Sequence, residues 1–491
     1  MKQIKKETTL LAVAFLCILA GALLNPWLLK PLTRLSDGYV SPLRVIVLLL
    51  FDVCAIAAGY YLIKHRKTEI GLSKKTIFCL FALLLALFFM ESVLQMLTRL
   101  SPAISRQLSG TAITLHISDD HLGQRPNPNH PEHDARGFRN RTALTEADIV
   151  ALGDSQTYGM GVKRHQAWPQ QLNRISGHTV YSMSFGGYGC VEGLALLEEA
   201  ARLNPKLVVF ALFTGNDLVD AFNAVYNKNL FPEFKSADSV QAAIEQIEKT
   251  SPLMEQVRHI TWRMWQKEWD ESPAPNEKAD VPVHRRTLFS TIKKAKLLQL
   301  FFAAERCIQN MVVHTPYRRW LAIKNGHVKH PEIFEVFEAP PFRTIFTPEY
   351  RYIAMNLDDP RIAEGLSISL KALQRMQAVA AANGIDFLVL LIPTKEMVFH
   401  GVLDNDGIEP SESMLWVLQQ ETRLHEQVRT FLKQHDIAFL EAIAALRQSL
   451  MDGKQPYFID ADGHLNAVGH DTVARSVNAY IQSSGLGMTS R

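Results

Sequence analysis

The segment Ile149–Val162, with the sequence IVALGDSQTYGMGV, contains residue types that suit a nucleophilic site. Its apolar run ends at Gly153, and Asp154 and Ser155 follow directly. A buried strand that ends in a small residue and an exposed serine presents a nucleophile at the carboxyl edge of a parallel sheet. Such a serine attacks an ester carbonyl when a base lies beside it. The alternative interpretation is that Ser155 only caps the helix after the turn.

Three later segments carry glycine, amide, acidic and histidine side chains that could complete such a site. They are Tyr181–Gly189, Phe213–Asp217 and Asp460–Asn466. Together with the serine segment, and in this order, they resemble the four blocks of the SGNH/GDSL hydrolase superfamily, over roughly residues 136–485 apart from a long middle insertion. The resemblance implies a three-layer α/β/α fold with a parallel sheet, and cleavage of ester bonds.

The resemblance also implies a triad. Ser155 would be the nucleophile and His464 the base, with an aspartate orienting the imidazole. The family's usual Asp-x-x-His spacing is not kept, because Ala461 stands three residues before His464. We expect Asp462 to orient the base, since some polysaccharide-modifying relatives use the shorter spacing, and Asp460 is the alternative. His464 could instead cap the final helix.

For the oxyanion, the resemblance implies the backbone N–H groups of Ser155 and Gly187 and the side-chain amide of Asn216. A second departure occurs here, because the family usually has glycine two residues before the asparagine, whereas this chain has Thr214 there and Gly215 adjacent to Asn216. The alternative for Asn216 is a turn former. No cofactor and no metal are expected.

Other polar residues lie where ligands could bind. Lys395 and Glu396 follow a predicted strand that ends at Ile392, at a sheet edge where they could touch substrate. Four histidines stand beside aspartates in an earlier segment, but their spacing fits no metal site and favours a solvated loop. They are His116, His121, His130 and His133.

The elements that must position these residues alternate between strands and helices. Five apolar runs predict buried strands: Ile149–Leu152, Val180–Met183, Leu207–Phe213, Phe387–Ile392 and Ile437–Leu440. Five runs with helical periodicity are Trp168–Ile175, Val191–Leu203, Ile362–Ala382, Met414–Gln434 and Ala467–Ile481. This alternation predicts a parallel sheet covered on both faces.

The predicted domain spans 146–491. It contains an insertion at about 222–361 that the core does not need. An insertion after the asparagine block would emerge near the carboxyl edge of the sheet, where it could form a lid or a substrate platform. The alternative is an ornament on the side of the domain.

Residues 1–100 are predicted to be a membrane anchor of three transmembrane helices, and 101–145 a linker. The apolar segments are Thr8–Leu29, Val45–Ile63 and Thr76–Leu97, each near the ~20 residues needed to span a bilayer. Eight basic residues flank one side and five the other. The positive-inside rule therefore predicts an integral protein of the cytoplasmic (inner) membrane, with the catalytic domain on the periplasmic side. Asp52 and Glu91 within the spans predict helix–helix hydrogen bonds, or contact with a partner membrane protein or a polar substrate headgroup.

These features together predict a serine ester hydrolase or O-acyltransferase that acts on acyl esters, chiefly acetyl esters, of a cell-envelope or secreted polysaccharide. The alternatives are a lipid or small-ester hydrolase and a catalytically silent glycan-binding or assembly subunit. The net charge of +3 and the lack of basic runs interleaved with aromatics argue against a nucleic-acid partner. Cys190 and Cys307 could pair if the domain is exported, although unpaired thiols are favoured.

Overall fold

The computed structural model describes residues 113–265, 315–406 and 409–487, with scattered positions before 113 and Leu300. The chain divides into two compact units, one made of Met1–Ile113 and Val281–His314 and the other of Thr114–Asp280 and Thr315–Arg491. Almost all described residues lie in the second unit, which contains every candidate site residue.

The predicted membrane anchor is not supported. Asp52 and most of the three predicted spans lie outside the described residues. Among the helices that the structure does describe, none is both long enough and apolar enough to cross a membrane. The longest described helices have 23 residues, but charged side chains such as Arg361, Glu364 and Lys371 interrupt their apolar character. This finding contradicts the three-helix part of the predicted fold class and the predicted inner-membrane localisation.

The second unit combines α-helices, short 3₁₀ turns and strands. Its strands are β1 (His116–Asp119), β2 (Gly123–Pro126), β3 (Ile149–Gly153), β4 (Val180–Ser184), β5 (Leu207–Phe213), β6 (Glu335–Ala339), β7 (Phe342–Phe346), β8 (Asp386–Ile392) and β9 (Ala438–Glu441). Its α-helices are α1 (Ser155–Tyr158), α2 (Trp168–Ser176), α3 (Cys190–Ala201), α4 (Asp217–Tyr226), α5 (Asp238–Thr250), α6 (Leu253–Trp265), α7 (Pro316–Lys324), α8 (Pro348–Met355), α9 (Pro360–Ala382), α10 (Lys395–Asp406), α11 (Glu412–Gln434), α12 (Ile443–Met451) and α13 (Ala467–Ser484).

The centre of this unit is a five-stranded parallel sheet with the order β4-β3-β5-β8-β9. All five predicted strands are present, each within one residue of its predicted ends, so the α/β part of the prediction is confirmed. The strand order reverses at β3, because β4 and β5 lie on its two sides. A ligand site in an open parallel sheet is expected at the carboxyl ends of the strands beside such a reversal.

Helices cover both faces of the sheet, which explains why the strands are continuously apolar rather than alternating. Successive side chains of a strand point to opposite faces. Val150 and Leu152 of β3 pack into the cluster that includes α3, α4 and α9. Ile149 and Ala151 face the other cluster, which includes α2, α12 and α13.

The predicted linker packs on the domain from Thr114 onward. Its hairpin β1–β2 is antiparallel. Asn140 then pairs with the outer side of β4, where its side-chain oxygen accepts from Ser182 N at 3.0 Å and its amide donates to Ser182 O at 2.9 Å. These bonds cover an otherwise open sheet edge.

The described parts of the insertion include α5, α6, α7, the antiparallel hairpin β6–β7 and α8. The hairpin contacts the segment before the histidine block, since Thr344 Oγ1 donates to Phe458 O at 3.2 Å. The insertion therefore reaches the carboxyl edge of the sheet.

Candidate active site

The turn after β3 is shaped by a glycine that no other residue could replace without movement. Gly153 has φ +143°, and a Cβ there would lie 2.5 Å from Thr157 Oγ1 and 2.9 Å from Ala211 O. The chain can therefore pass close to β5 and start α1 at Ser155. This is the strand–turn–helix geometry that the sequence predicts for a nucleophile.

The structure brings Ser155, His464 and Asp462 together, although 309 positions separate the first two. Ser155 Oγ lies 2.8 Å from His464 Nε2, and His464 Nδ1 lies 2.5 Å from Asp462 Oδ1. An ionised carboxylate can only accept, so Nδ1 carries the proton and Nε2 is free to accept from the serine hydroxyl. This is the geometry of a base beside a nucleophile, with a carboxylate orienting the base.

The two aspartates of the last block have different environments. Asp462 Oδ1 also accepts from His464 N at 3.0 Å. Asp460 Oδ1 accepts from Asp462 N at 3.2 Å, and its Oδ2 lies 3.7 Å from Arg319 Nη1. Asp462 is therefore the carboxylate in contact with the imidazole.

The electrostatics of this pair favour the ion pair. Burial alone would lower the pKa of His464, but the hydrogen bond and the charge of Asp462 outweigh it, and the pKa is raised above its ordinary value. Burial alone would raise the pKa of Asp462, but the hydrogen bond and the charge of His464 lower it to about 2.

The helix-capping roles considered for Ser155 and His464 belong to other side chains. Asp154 caps α1 by accepting from Gln156 N at 2.9 Å. The final helix α13 is capped by Asn466, whose Oδ1 accepts from the second and third backbone N–H groups that follow it. Asn216 precedes α4 but makes no side-chain cap bond.

The predicted oxyanion donors lie around the end of β3. Ser155 N and Gly187 N have no protein acceptor among the described residues. Asn216 Nδ2 donates to Asp220 Oδ2 at 2.6 Å, which leaves its second amide hydrogen for another acceptor. Asp220 thus holds the Asn216 amide. Its position four residues after Asn216, one helical turn away, could have suggested this role.

The glycine pair after β4 forms a tight turn. Tyr188 N donates to Phe185 O at 3.1 Å, and Gly187 has φ +78°, as the third residue of a type II turn requires. A Cβ on Gly187 would meet nothing closer than 3.7 Å, so its conformation rather than space demands glycine. Gly186 faces Ser155, because its Cβ would lie 3.8 Å from Ser155 Cβ.

Three buried carboxyl groups lie in the segments around Ser155 and Asn216. Burial raises the pKa of Asp154 to about 6 and that of Asp220 to about 7, and it raises the pKa of Asp217 well above its usual range. Asp154 Oδ2 lies 3.2 Å from Ser155 Oγ, farther than His464 Nε2. Because these pKa values are raised, the three carboxyl groups together carry less than three negative charges near neutral pH.

Gln156 is a site residue that the sequence analysis missed. Its side chain donates to Gly463 O at 3.2 Å and accepts from Leu465 N at 3.1 Å. It therefore fixes the backbone on both sides of His464. Its position directly after the serine is the only sequence signal for this role.

Lys395 and Glu396 are fully buried. Lys395 Nζ donates to the carbonyl oxygens of Asp460 at 2.7 Å and Asp462 at 3.0 Å. Lys395 and Glu396 therefore have protein partners, and those of Lys395 lie in the segment that carries Asp462.

Two further buried histidines have structural partners. His133 is bonded on both ring nitrogens, to Asn127 O and Tyr158 OH, each at 2.8 Å. His470 is buried, and its Nδ1 accepts from Trp168 N at 3.2 Å. Within the described ranges, no three His, Cys, Asp or Glu side chains could together hold a metal ion. Cys190 is buried and free, and Cys307 lies outside the described residues.

Comparison with known proteins adds no assignment: no family model matches the chain, and neither does any curated protein.

Proposed function

We propose that this chain is a serine ester hydrolase or O-acyltransferase of the SGNH type. The observation that carries the proposal is the continuous contact from Ser155 Oγ to His464 Nε2 at 2.8 Å and from His464 Nδ1 to Asp462 at 2.5 Å. A carboxylate and an imidazole in this arrangement are what a serine needs to become a nucleophile near neutral pH.

In the proposed reaction, Ser155 Oγ attacks the ester carbonyl while its proton passes to His464 Nε2. Asp462 stabilises the imidazolium that forms. The negative charge that develops on the carbonyl oxygen is met by Ser155 N–H, Gly187 N–H and the amide hydrogen of Asn216 that Asp220 leaves free. His464 then returns the proton to the leaving alcohol, and an acyl-enzyme remains.

The second half of the reaction decides between hydrolase and transferase. Water releases the acyl group as an acid, whereas a sugar hydroxyl accepts it as a new ester. The same serine and histidine serve both outcomes, because His464 removes a proton from either nucleophile.

For the substrate we put acyl esters of a polysaccharide first. The predicted membrane anchor no longer supports this choice. The support that remains is the one-residue spacing between Asp462 and His464, which resembles that of polysaccharide-modifying relatives. Lipid esters and small esters are the second candidate.

The test is labelling by a fluorophosphonate together with turnover of a nitrophenyl acetate. We expect the wild-type chain to be labelled at Ser155, and Ser155→Ala to lose labelling and nearly all turnover while its thermal unfolding is unchanged. Ser413→Ala, which alters an exposed serine at the start of α11, is the matched control and should keep both. Equal turnover by Ser155→Ala and wild type would refute the esterase. The acceptor is then found by adding acetyl-free polysaccharide to the acyl-enzyme and following the label.

A further inference from the structure

A buried ion pair lies at the carboxyl edge of the sheet. Arg351 comes from α8 of the insertion, and Glu396 from the first turn of α10, directly after β8. Arg351 Nε donates to Glu396 Oε2 at 3.2 Å, and both side chains are at most 3% exposed. Glu396 Oε1 also accepts from Thr347 N, just before α8, at 3.2 Å.

The rest of the Arg351 guanidinium lies against two catalytic segments. Nη1 donates to Gly215 O at 3.2 Å, next to Asn216. A Cβ on Gly215 would lie 2.4 Å from Nη1, and one on Gly463 would lie 2.6 Å from Nη2. One planar group therefore touches both the segment of the oxyanion asparagine and the segment between Asp462 and His464.

The two glycines support this interpretation. Neither Gly215 nor Gly463 is among the residues with positive φ, so their conformations would accept other residues. At Gly463 the guanidinium alone approaches too closely for a side chain, and at Gly215 both the guanidinium and the Phe213 ring do, the ring lying 2.5 Å from the would-be Cβ. This explains why glycine stands directly before Asn216 here.

Lys395 holds the same segment from another side. Its Nζ donates to Asp460 O and Asp462 O, at 2.7 and 3.0 Å. The segment that Arg351 approaches at Gly463 is therefore also held by a second buried cation. Buried charges carry a large desolvation cost, which hydrogen bonds to carbonyl oxygens partly offset.

We infer that Arg351 is a positioning residue of the active site. Held by Glu396, it fixes the separation between the Asn216 segment and the His464 segment, so the insertion completes the site rather than decorating it. The inference rests on the proposed function, because positioning matters only if these segments act on a substrate.

Arg351 also acts on the base through its charge. The charged groups that face His464 are Asp462 on its own segment, Asp154 from the nucleophile turn and Arg351 from α8. The two carboxylates raise the pKa of His464, and Arg351 lowers it. Loss of the Arg351 charge should therefore move the acid limb of the pH–rate profile to higher pH.

The test measures kcat, KM and the pH profile for a nitrophenyl ester, using Arg351→Met. Displacement of catalytic groups by about 1 Å can cost on the order of 10²-fold in rate. We expect kcat to fall by about that factor, KM to change little, and the acid limb to move upward. Arg351→Lys restores the charge but not the planar fork, so it should return the acid limb to its wild-type position while kcat stays low.

Two further variants guard against a folding defect. Arg351→Met with Glu396→Met replaces the ion pair by apolar groups, a change that buried pairs often tolerate, and it should fold yet show the same loss of kcat. Arg263→Met is the matched control, since Arg263 forms ion pairs with Glu349 and Glu332 inside the insertion. It should leave kcat and the pH profile unchanged.

The outcomes separate the two proposals. Wild-type turnover that depends on Ser155, combined with unchanged kcat and pH profile in the folded double variant, would overturn the role of Arg351 alone. Equal loss in Arg263→Met would also overturn it, because any damage to the insertion would then suffice. Absence of Ser155-dependent turnover in the wild type would overturn the proposed function and the role of Arg351 with it.

Discussion

Substitution of Asp462 by asparagine should nearly abolish turnover. Asp462 Oδ1 accepts two hydrogen bonds from His464, one from Nδ1 at 2.5 Å and one from the backbone N at 3.0 Å. An asparagine that presents its amide to Nδ1 would stabilise the tautomer with the proton on Nε2, which cannot accept from Ser155. In serine protease triads the corresponding change lowers kcat by about 10⁴, equivalent to about 5.4 kcal/mol of activation free energy.

Asp460→Asn is the matched comparison. Its Oδ1 accepts one backbone bond, from Asp462 N at 3.2 Å, which an asparagine oxygen can also accept. The ion pair with Arg319 is lost, but the imidazole keeps its partner. We expect kcat within about tenfold of wild type, since one neutral hydrogen bond contributes about 1 kcal/mol.

The pH profile gives an independent measurement. The general base must be neutral, so kcat/KM falls as the pH drops through the pKa of His464. That pKa is raised, chiefly by Asp462 acting against burial, so the wild-type acid limb should lie above about 6.5. In Asp462→Asn the stabilisation of the imidazolium is lost, and the residual activity should have its acid limb at lower pH.

Both variants are assayed with a nitrophenyl ester from pH 5 to 9, with thermal unfolding as the folding control. The assignment of the triad is refuted if Asp462→Asn stays within a few-fold of wild type while Asp460→Asn loses activity. An acid limb that moves in Asp460→Asn but not in Asp462→Asn would refute it equally.

Two further predictions concern the oxyanion and acid stability. Asn216→Ala should lower kcat by about 10²–10³ with little change in KM, because the oxyanion forms only after attack. Steady-state kinetics measure both constants, and a loss that appeared entirely in KM would contradict the prediction. His470 is buried beside Trp168 N, and burial lowers its pKa to about 3. The unfolded chain therefore binds the proton first, and this group should reduce stability by up to roughly 1.4 kcal/mol per pH unit as the pH falls from about 6.5 towards 3. Urea unfolding midpoints of wild type and His470→Gln at pH 7 and 5 measure it, and equal pH dependence in the two would contradict it.

The strands and the nucleophile turn were predictable because their signals are local. Val150 and Ile149 pack on opposite faces of the sheet, so β3 had to be apolar throughout. Gly153 and Ser155 mark the end of the strand within three residues. An aspartate separated from a histidine by one residue, as Asp462 is from His464, is equally visible in the sequence.

The prediction of a membrane anchor also rested on a local signal, the hydropathy of three segments, and hydropathy alone does not establish a membrane span. Each of the three apolar segments has the length of a span, yet no described helix meets the requirements for crossing a membrane.

The contacts of Arg351 and Gln156 were not predictable from the sequence. They join distant parts of the chain, and Arg351 belongs to a residue type that is usually exposed. Arg, Lys and Glu are normally exposed, so Arg351 in an insertion helix would be assigned to the surface. It is buried because Glu396, 45 residues away in sequence, offers a counter-charge. Gln156 is likewise defined by partners more than 300 positions away.

One trace of this arrangement is nevertheless present in the sequence. Gly215 stands directly before Asn216, and Gly463 lies between Asp462 and His464. A glycine beside a catalytic residue is usually attributed to a turn, but neither of these two has a positive φ. The remaining reason is close approach by another group, and a carbonyl beside such a glycine is a natural acceptor for a guanidinium. In the structure Arg351 lies 2.4 and 2.6 Å from the would-be Cβ atoms of Gly215 and Gly463, and the Phe213 ring lies 2.5 Å from that of Gly215. Arg351 is therefore the group that the two glycines have in common.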